Sequence, residues 1–265
     1  MGAPHGTKRF AAYTHALIGA AVIALLLLIW FLIAEFGMIP ELFVPHPLQV
    51  GRALIDVATE GYRGGTLLFH LGTSLWRVFA GFALAVATAV PLGLWMGHNR
   101  YVFAAVDPLL QFYRPLPPLA YYTLLILWLG IDNESKIALL YLAAFPPLAI
   151  SSSSAVRGVS EEKIHAARSL GASDTQVMWH VIFPSCLPEI LTGTRVSIGF
   201  TYTTLVASEI VAAQSGIGWM VLDASNFLRS DVIFMGIIVM GFTGILLDRA
   251  IVWIERRLVP WKGRQ

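Results

Sequence analysis

Six apolar segments, separated by shorter polar ones, dominate the hydropathy pattern of the chain. A hydrocarbon core of roughly 30 Å is crossed by about 20 consecutive apolar residues in a helix, so the pattern predicts an all-α integral membrane protein with six transmembrane helices. Their approximate bounds are 16–34, 71–97, 119–131, 137–156, 190–213 and 232–254. The first segment could instead be a cleaved signal peptide, but it exceeds the usual apolar length of about 7–15 residues. We therefore expect it to be retained as a first span.

Prolines indicate where these helices should bend. Pro91 should kink the second helix, and Pro146 with Pro147 should interrupt the fourth, because proline removes a backbone donor. The stretch 112–118, FYRPLPP, should bend the chain at the membrane interface before the third helix. Two short additional helices are expected at 52–60 and 217–228.

One long polar segment, residues 160–189, interrupts the apolar pattern between the fourth and fifth helices. It predicts two short helices with a hinge. Ser160 can cap the first helix, and Glu161 and Glu162 lie in its first turn, where the helix dipole favours negative charge.

The hinge itself has recognisable turn chemistry. Gly171 suits the left-handed residue that ends a helix, and Ser173 with Gln176 forms a capping-box pattern that opens the next one. Pro184 and Pro188 should then break the chain before the fifth helix.

Composition supports the membrane assignment and excludes other classes. The chain of 265 residues is 57% hydrophobic and 13% charged, with a mean hydropathy of +0.70, whereas soluble domains carry about 25% charged residues. A net charge of +2 gives no reason to expect a nucleic-acid partner. The single cysteine, Cys186, excludes an intrachain disulfide. No internal repeat or linker divides residues 1–265, so we expect one transmembrane domain.

The basic residues show which side of the membrane each loop occupies. With six spans, both termini and the polar segment fall on the side that holds most of the lysines and arginines, which the positive-inside rule makes the cytoplasm. The basic residues on that side are Lys8, Arg9, Arg100, Arg157, Lys163, Arg168, Arg256, Arg257, Lys262 and Arg264. The other side keeps Arg52, Arg63, Lys136 and Arg229.

Besides Asp248 and Arg249 at the end of the sixth, three ionisable residues lie inside predicted spans. Arg77, near the start of the second, is expected to extend its side chain to the interface. Arg195 and Glu209 lie in the fifth span, about 21 Å apart along the helix, so they cannot pair with each other. Each either anchors a neighbouring element or lines a transport path.

The fifth span also carries a stripe of hydroxyls at helical spacing, Thr201, Thr204 and Ser208. These hydroxyls either bind a small polar solute that has lost its water or bond the preceding turn of their own helix.

Motifs for catalysis are missing from the sequence. There is no G-x-x-x-x-G-K-[ST] phosphate loop, no H-E-x-x-H motif and no nucleophile elbow. We therefore expect neither an enzyme nor a metal site.

The polar segment resembles the "EAA" loop of permease subunits of ABC importers. That pattern is Glu-Ala-Ala, three residues, Gly, nine residues, Ile, any residue, Leu and Pro. The spacing fits throughout, with His165, Val181 and Phe183 in place of Glu, Ile and Leu. The matching positions are Ala166, Ala167, Gly171 and Pro184.

The resemblance implies a type I ABC importer permease fold with a cytoplasmic coupling helix. Residues 157–189, here called the coupling segment, would contact a separate ATPase that binds ATP and Mg²⁺, and the permease itself would need no cofactor. The implied contact residues are Glu161, Glu162, His165, Ala166, Ala167, Leu170, Gly171, Ala172 and Pro184. The implied partners are a second copy of the chain, two ATP-binding cassette subunits, a periplasmic substrate-binding protein and membrane lipid, with no nucleic acid.

Further segments, including LFVPHPLQV and LVASEIVAAQSGIG, resemble the nitrate, sulfonate and taurine branch of these permeases, and within it the taurine permeases. This implies import of a small sulfonate, taurine first, at the bacterial inner membrane. Alkanesulfonate, nitrate and thiamine or riboflavin precursors are the alternatives within the family. A secondary transporter that works alone is the alternative outside it, but the chain lacks the buried carboxylate relay or inverted repeat that this would need.

Overall fold

The computed structural model describes residues 5–261, with side chains from residue 17 onward. Lys262, Arg264 and the side chains of Lys8 and Arg9, which contribute to the predicted charge asymmetry, lie outside the described part. Within it the chain is helical apart from turns and an isolated bridge between Tyr62 and Gly65. The helices are α1 His5–Glu35, α2 Pro47–Thr59, α3 Leu67–His98, α4 Arg100–Tyr113, α5 Pro118–Leu129, α6 Asn133–Arg157, α7 Glu161–Ser169, α8 Asp174–Val177, α9 Phe183–Ala212, α10 Ile217–Asn226 and α11 Ser230–Leu258.

Four of these helices, α1, α3, α6 and α11, are long and apolar enough to cross a membrane. The stretch Asp174–Ala212 meets α10 at an angle of 44°, and this pair gives a fifth candidate. The helix α5, with 12 residues, is only about 18 Å long and cannot cross alone. The membrane fold is confirmed, and the number of six spans stays a prediction.

The bundle is centred on the packing of α3 against α6. Small residues recur every fourth position along α3, and they allow the two backbones to approach closely, as is usual in lipid. A Cβ built on Gly93 would lie 2.5 Å from the Ala149 carbonyl oxygen and from the Ser152 Cβ. The small residues of this stripe are Gly81, Ala85, Ala89, Gly93 and Gly97.

The two prolines of α6 do not interrupt it. Pro146 and Pro147 lie inside a helix that runs from Asn133 to Arg157, so the predicted interruption was wrong. Neighbouring helices stabilise a proline-containing transmembrane helix because they pack around the backbone groups that proline frees.

The chain bends between α4 and α5 at residues 114–117, within the predicted stretch 112–118, but at a different depth in the bundle. Leu110 is buried between α3 and α6, together with Ala85 and Leu148. The bend that follows lines a cavity together with Pro146 of α6 and Val196 of α9, which lie near the middle of their helices. The predicted position at the interface was therefore wrong: α4 returns along α3 before the chain turns.

A smaller core closes the end of the bundle opposite the coupling segment. There α2, α10 and α11 pack through apolar side chains that include Val50, Met220 and Met235. Trp30 of α1 joins this core by stacking on Phe234 and by donating its indole N–H to the Pro45 carbonyl at 3.0 Å. The two short helices expected from the sequence are confirmed as α2 and α10.

Candidate functional site

The first helix of the coupling segment is α7. Its start agrees with the prediction except for one missing hydrogen bond. Ser160 occupies the N-cap position, but its side chain makes no capping hydrogen bond, so that part of the prediction was wrong. Glu161 and Glu162 lie in the first turn as expected, where their charge favours the helix dipole. The helix start is therefore stabilised through charge.

The turn after α7 follows the predicted chemistry. Gly171 has φ +84°, a conformation that side chains disfavour. Its N–H donates to the Arg168 carbonyl at 2.9 Å, and the Ala172 N–H donates to the Ala167 carbonyl at 3.1 Å. These two bonds form a Schellman motif, which satisfies carbonyls at the helix end.

The next helix opens with the predicted capping box. The Gln176 N–H donates to Ser173 Oγ at 3.4 Å, and the Ser173 N–H donates to Gln176 Oε1 at 2.8 Å. The turn is also bridged by an ion pair between Arg168 and Asp174, at 2.9 Å. The hinge is thus a defined turn held on both sides.

The prolines of the coupling segment do not break the chain, contrary to the prediction. A π-helical turn, Met178–Ile182, continues α8 directly into α9. Pro184 lies in the first turn of α9, where a missing N–H costs little, and Pro188 lies inside the helix. The widened π turn accommodates the proline geometry. One helical path therefore connects the hinge to the fifth predicted span.

The two faces of α7 have different surroundings. Ile164, Ala167 and Ala172 pack against the end of α6 and the start of α9, in a core that includes Val156 and Cys186. The opposite face is exposed, and at the tip Leu170 is 90% exposed. An apolar side chain presented this openly on a packed turn is available for a protein partner. The exposed members of the predicted set are Glu161, Glu162, His165, Ala166, Leu170 and Gly171.

A buried ion pair lies at the other end of the bundle, between Arg77 of α3 and Glu209 of α9. Arg77 Nη1 and Glu209 Oε1 are 2.7 Å apart, and the two side chains are 4% and 0% exposed. Arg77 therefore does not extend to the interface, and that prediction was wrong. Its counter-charge lies 132 residues away in sequence.

Further bonds make this pair part of a network, here called the Arg77–Glu209 cluster. Arg77 also donates to the Asn133 side chain, to the Ser215 carbonyl and to the Ser215 hydroxyl, at 2.8, 2.7 and 3.2 Å. Glu209 accepts from Ser74 Oγ at 2.8 Å and from the Gly218 N–H at 2.9 Å. The cluster ties α3, α6, α9 and the start of α10 together.

His70 extends the cluster toward the loop before α3. Its Nδ1 accepts from the Gly216 N–H at 3.2 Å, and its Nε2 lies 3.0 Å from the Tyr62 carbonyl. Both bonds are satisfied by a neutral ring protonated at Nε2. The Tyr62 hydroxyl in turn donates to Asp223 at 2.8 Å, and burial raises the pKa of Tyr62 to about 12.

The second ionisable residue of the fifth span also has a partner. Arg195 Nη2 donates to Asp248 Oδ2 of α11 at 2.8 Å, and both side chains are partly exposed. Arg195 and Glu209 thus each anchor α9 to another element, in agreement with the structural alternative. A role in the path stays a prediction for both.

The hydroxyl stripe of α9 is buried. The side chains of Thr201, Thr204 and Ser208 donate to the carbonyls of Ser197, Phe200 and Leu205 in their own helix, at 2.8, 2.9 and 2.7 Å. Ser197 belongs to the same stripe, one turn earlier, and its buried hydroxyl has no partner among the described residues. In this conformation the first three are engaged and Ser197 is free to bind.

A cavity of about 230 Å³ lies where the α4–α5 bend meets the middles of α6 and α9. We call it the central cavity. Its walls are mostly apolar, with Leu142, Pro146 and Phe200 among them, and its polar groups come from Tyr113, Arg114, Tyr121 and Ser197. Ligand sites commonly have this composition, in which a few polar groups are placed in an apolar surround.

Several of these residues were not predicted as site residues. His70, Ser74 and Asn133 join the Arg77–Glu209 cluster only because the fold brings them there. Arg114 was missed because it lies in the proline-rich stretch 112–118, which was interpreted only as a bend. One signal was present: an arginine inside apolar sequence is a functional candidate by default. That rule applies to both Arg77 and Arg114.

Comparison with known proteins defines the class. Residues 89–260 match the family described as binding-protein-dependent transport system inner membrane component, and the chain belongs to this family. It is therefore a permease subunit of an ABC importer in the inner membrane. Members work with a partner ATPase, which holds the ATP and Mg²⁺, and with a substrate-binding protein; the permease has no ATPase site itself.

Individual relatives narrow the group further. The chain is 43% identical over 247 residues to the taurine transport system permease protein TauC of Escherichia coli (strain K12), covering 93% of this chain and 90% of that one. It is 34% identical to the putative aliphatic sulfonates transport permease protein SsuC of Bacillus subtilis (strain 168), covering 97% and 91%. It is 31% identical to the nitrate import permease protein NrtB of Synechocystis sp., covering 91% and 88%.

A solved structure supports the fold. The MetNI methionine ABC transporter in an inward-facing conformation matches with a TM-score of 0.64 at 17% identity, covering 71% of this chain and 93% of that one. The resemblance implied a type I ABC importer permease fold, and this is confirmed.

Proposed function

We propose that the chain is the permease subunit of an ATP-driven importer of a small sulfonate, with taurine as the first candidate. The observation that carries the proposal is the 43% identity to a taurine permease along nearly the whole chain. Relatives named for aliphatic sulfonates and nitrate are 31–34% identical, which supports taurine over those solutes.

We propose further that two copies of the chain form the path, with two ATPase subunits beneath them and the binding protein on the opposite side. Six spans in a single domain, residues 1–265, would put both termini and the coupling segment in the cytoplasm. The excess of lysine and arginine on that side supports this orientation.

The coupling segment is proposed to contact the ATPase. Its defined hinge and the exposed Leu170 provide a surface, and the buried face of α7 attaches this surface to α6 and α9. When the ATPases close on ATP, movement of α7 would therefore be transmitted to the spans that surround the central cavity. Such a change requires only that the helices can pack in two arrangements and that the ATPase favours one of them.

The nine residues implied by the family resemblance are proposed as ATPase contacts or as supports of those contacts. Ala167, Ala172 and Pro184 are partly buried and support the position of α7. The exposed members of the set are proposed to contact the ATPase itself. The hydroxyl stripe of α9, with Arg195 and Glu209 at its two ends, is proposed to border the path. Its role requires that some of the present helix–helix contacts open during transport.

The substrate is tested by uptake in proteoliposomes that contain the permease, its ATPase and its binding protein. ATP-dependent uptake of labelled taurine is expected, and unlabelled alkanesulfonates, nitrate and thiamine or riboflavin precursors should compete poorly. Absence of taurine uptake, with transport of one of these competitors, would overturn the assignment to taurine.

Coupling is tested by Gly171→Pro and Ala167→Asp, which disrupt the hinge and the packed face of α7. Both should abolish uptake and ATPase stimulation at a normal membrane level. The matched control is Gly64→Pro, because Gly64 is also left-handed, at φ +88°, but lies in the turn before α3. Wild-type uptake in the Gly171 or Ala167 variant would contradict the coupling role.

A further inference from the structure

Three other cations of the bundle are held by protein partners, whereas the Arg114 side chain has none among the described residues. Arg77 and Arg195 are paired with carboxylates, and Lys136 donates to the carbonyls of Ile131 and Asp132 at 2.5 and 2.9 Å. Among the described residues nothing bonds the Arg114 side chain, which lines the central cavity and the neighbouring cleft beside Ser151 and Gly193.

Arg114 lies on the α4–α5 bend, where it lines the central cavity beside the middles of α6 and α9, and its side chain is exposed to this space. At membrane depth a cation without a partner is expensive and is retained mainly for function. Irregular backbone at membrane depth is likewise tolerated where it is buried in protein or lines a cavity. The charge and the bend thus both indicate a functional cavity.

A second observation comes from the opposite wall. Ser197 is fully buried, and its hydroxyl has no partner among the described residues, although it lines the same cavity. A buried hydroxyl that is left without a hydrogen-bond partner destabilises the structure. A ligand that accepts a hydrogen bond from the Ser197 hydroxyl removes this destabilisation. Ser197 also continues the stripe of Thr201, Thr204 and Ser208 by one turn, which connects the cavity to the proposed path.

We propose that Arg114 and Ser197 form an anion-binding site in the central cavity, which holds the sulfonate group of the solute during passage. The proposal rests on the proposed import function and specifies how the path recognises its cargo. The guanidinium supplies charge and several N–H donors to the sulfonate oxygens. The apolar walls at Leu142, Pro146 and Phe200 accommodate the short alkyl part, and the cavity volume limits the cargo to small solutes.

The break between α4 and α5 also favours an anionic ligand. The N-terminus of α5 begins at Pro118, which lines the cavity beside Arg114. A helix N-terminus carries partial positive charge, so it adds to the favourable potential for an anion. Discontinuous transmembrane helices commonly bind the charged groups of transported solutes in this manner.

The test uses the reconstituted importer with its ATPase and binding protein, and it compares Arg114→Gln, Arg114→Lys and Ser197→Ala. Arg114→Gln should lower the uptake rate of labelled taurine by about tenfold or more, because the charge-assisted bonds are lost. Arg114→Lys should lose less than Arg114→Gln, about threefold, because it keeps the charge but not the planar set of donors, and Ser197→Ala should also lose about threefold. The matched control is Arg52→Gln, an exposed arginine of α2, which should transport like the wild type.

A second readout separates recognition from folding. ATPase stimulation by the loaded binding protein should persist in Arg114→Gln, because Arg114 lies outside the coupling segment. Uptake by Arg114→Gln within twofold of the wild type overturns the proposal. Equal loss of uptake and of ATPase stimulation in the Gln and Lys variants indicates a structural role and also overturns it.

Failure of the proposed function has a different signature. If the wild type carries an alkanesulfonate or nitrate instead of taurine, the taurine assignment fails, but the same dependence on the charge of residue 114 is expected for that anion. If the wild type carries a cationic or uncharged solute, the anion site is overturned together with the sulfonate assignment.

Discussion

Replacement of Arg77 by methionine should be among the most destabilising single substitutions in the chain. The variant removes four hydrogen bonds, to Glu209, Asn133 and two atoms of Ser215. It also leaves the Glu209 carboxylate, which is 0% exposed, without a counter-charge. Removal of one partner of a buried ion pair typically costs about 3–5 kcal/mol. We expect Arg77→Met to lower the free energy of unfolding by that amount.

A double-mutant cycle separates the pair from the rest of the cluster. Glu209→Gln removes the charge and keeps one carbonyl oxygen, which can accept from Ser74 Oγ or from the Gly218 N–H but not from both, because these groups donate to different carboxylate oxygens. The double variant Arg77→Met/Glu209→Gln should therefore lose less stability than the sum of the single variants. We expect an interaction energy of about 2 kcal/mol, within the range found for contacting residues.

The assay is equilibrium unfolding of the detergent-solubilised permease, followed by far-UV circular dichroism as sodium dodecyl sulfate is added to mixed micelles. Arg229→Gln is the control, because its ion pair with Asp231 is local and partly exposed, and loss of such a pair costs less than about 1 kcal/mol. A loss below 1 kcal/mol in Arg77→Met, or full additivity in the cycle, would refute the role assigned to the pair.

Three further substitutions test the packing, the cluster and the coupling surface. Gly93→Leu should destabilise the bundle by at least about 1–3 kcal/mol in the same unfolding assay, because it overfills the α3–α6 contact, whereas Gly72→Leu in the same helix meets open space and should be mild. Equal effects of the two would contradict the small-residue contact. Gly216→Ala should lower the unfolding midpoint, because its Cβ would lie within 2.5 Å of the Glu209 carboxylate and φ is +118°; an unchanged midpoint would argue against that close approach. Leu170→Asp should prevent co-purification of the ATPase while Leu228→Asp, also an exposed leucine but at the other end of the bundle, should not; ATPase retained by the first variant would contradict the docking surface.

Local features of the structure were largely predictable. The left-handed Gly171, the Ser173–Gln176 capping box and the two short helices α2 and α10 follow from contacts between residues a few positions apart. Apart from the missing side-chain cap of Ser160, the local predictions that failed concern prolines. Pro146, Pro147 and Pro188 remain within helices because packing in the bundle compensates for the missing donors, and no sequence rule contains that packing.

The candidate site was predictable in part. The coupling segment is recognisable because its residues form one continuous stretch with its own turn chemistry. The central cavity could not be predicted, since Arg114 lies on the α4–α5 bend, while Pro146 and Ser197 lie on two other helices that are distant in sequence. The position of the α4–α5 bend decides whether Arg114 reaches the membrane interface or the middle of the bundle, and proline spacing alone is compatible with both.

The sequence by itself determined that the chain is a helical membrane protein with a polar, hinged segment, because hydropathy and capping act through neighbours along the chain. Only the tertiary structure decided which charges are paired. Glu209 neutralises Arg77 across 132 positions, while Arg114 is left facing a cavity. The physical reason is that the cost of a charge in an apolar bundle depends on what packs beside it, and helices that are distant in sequence supply those neighbours.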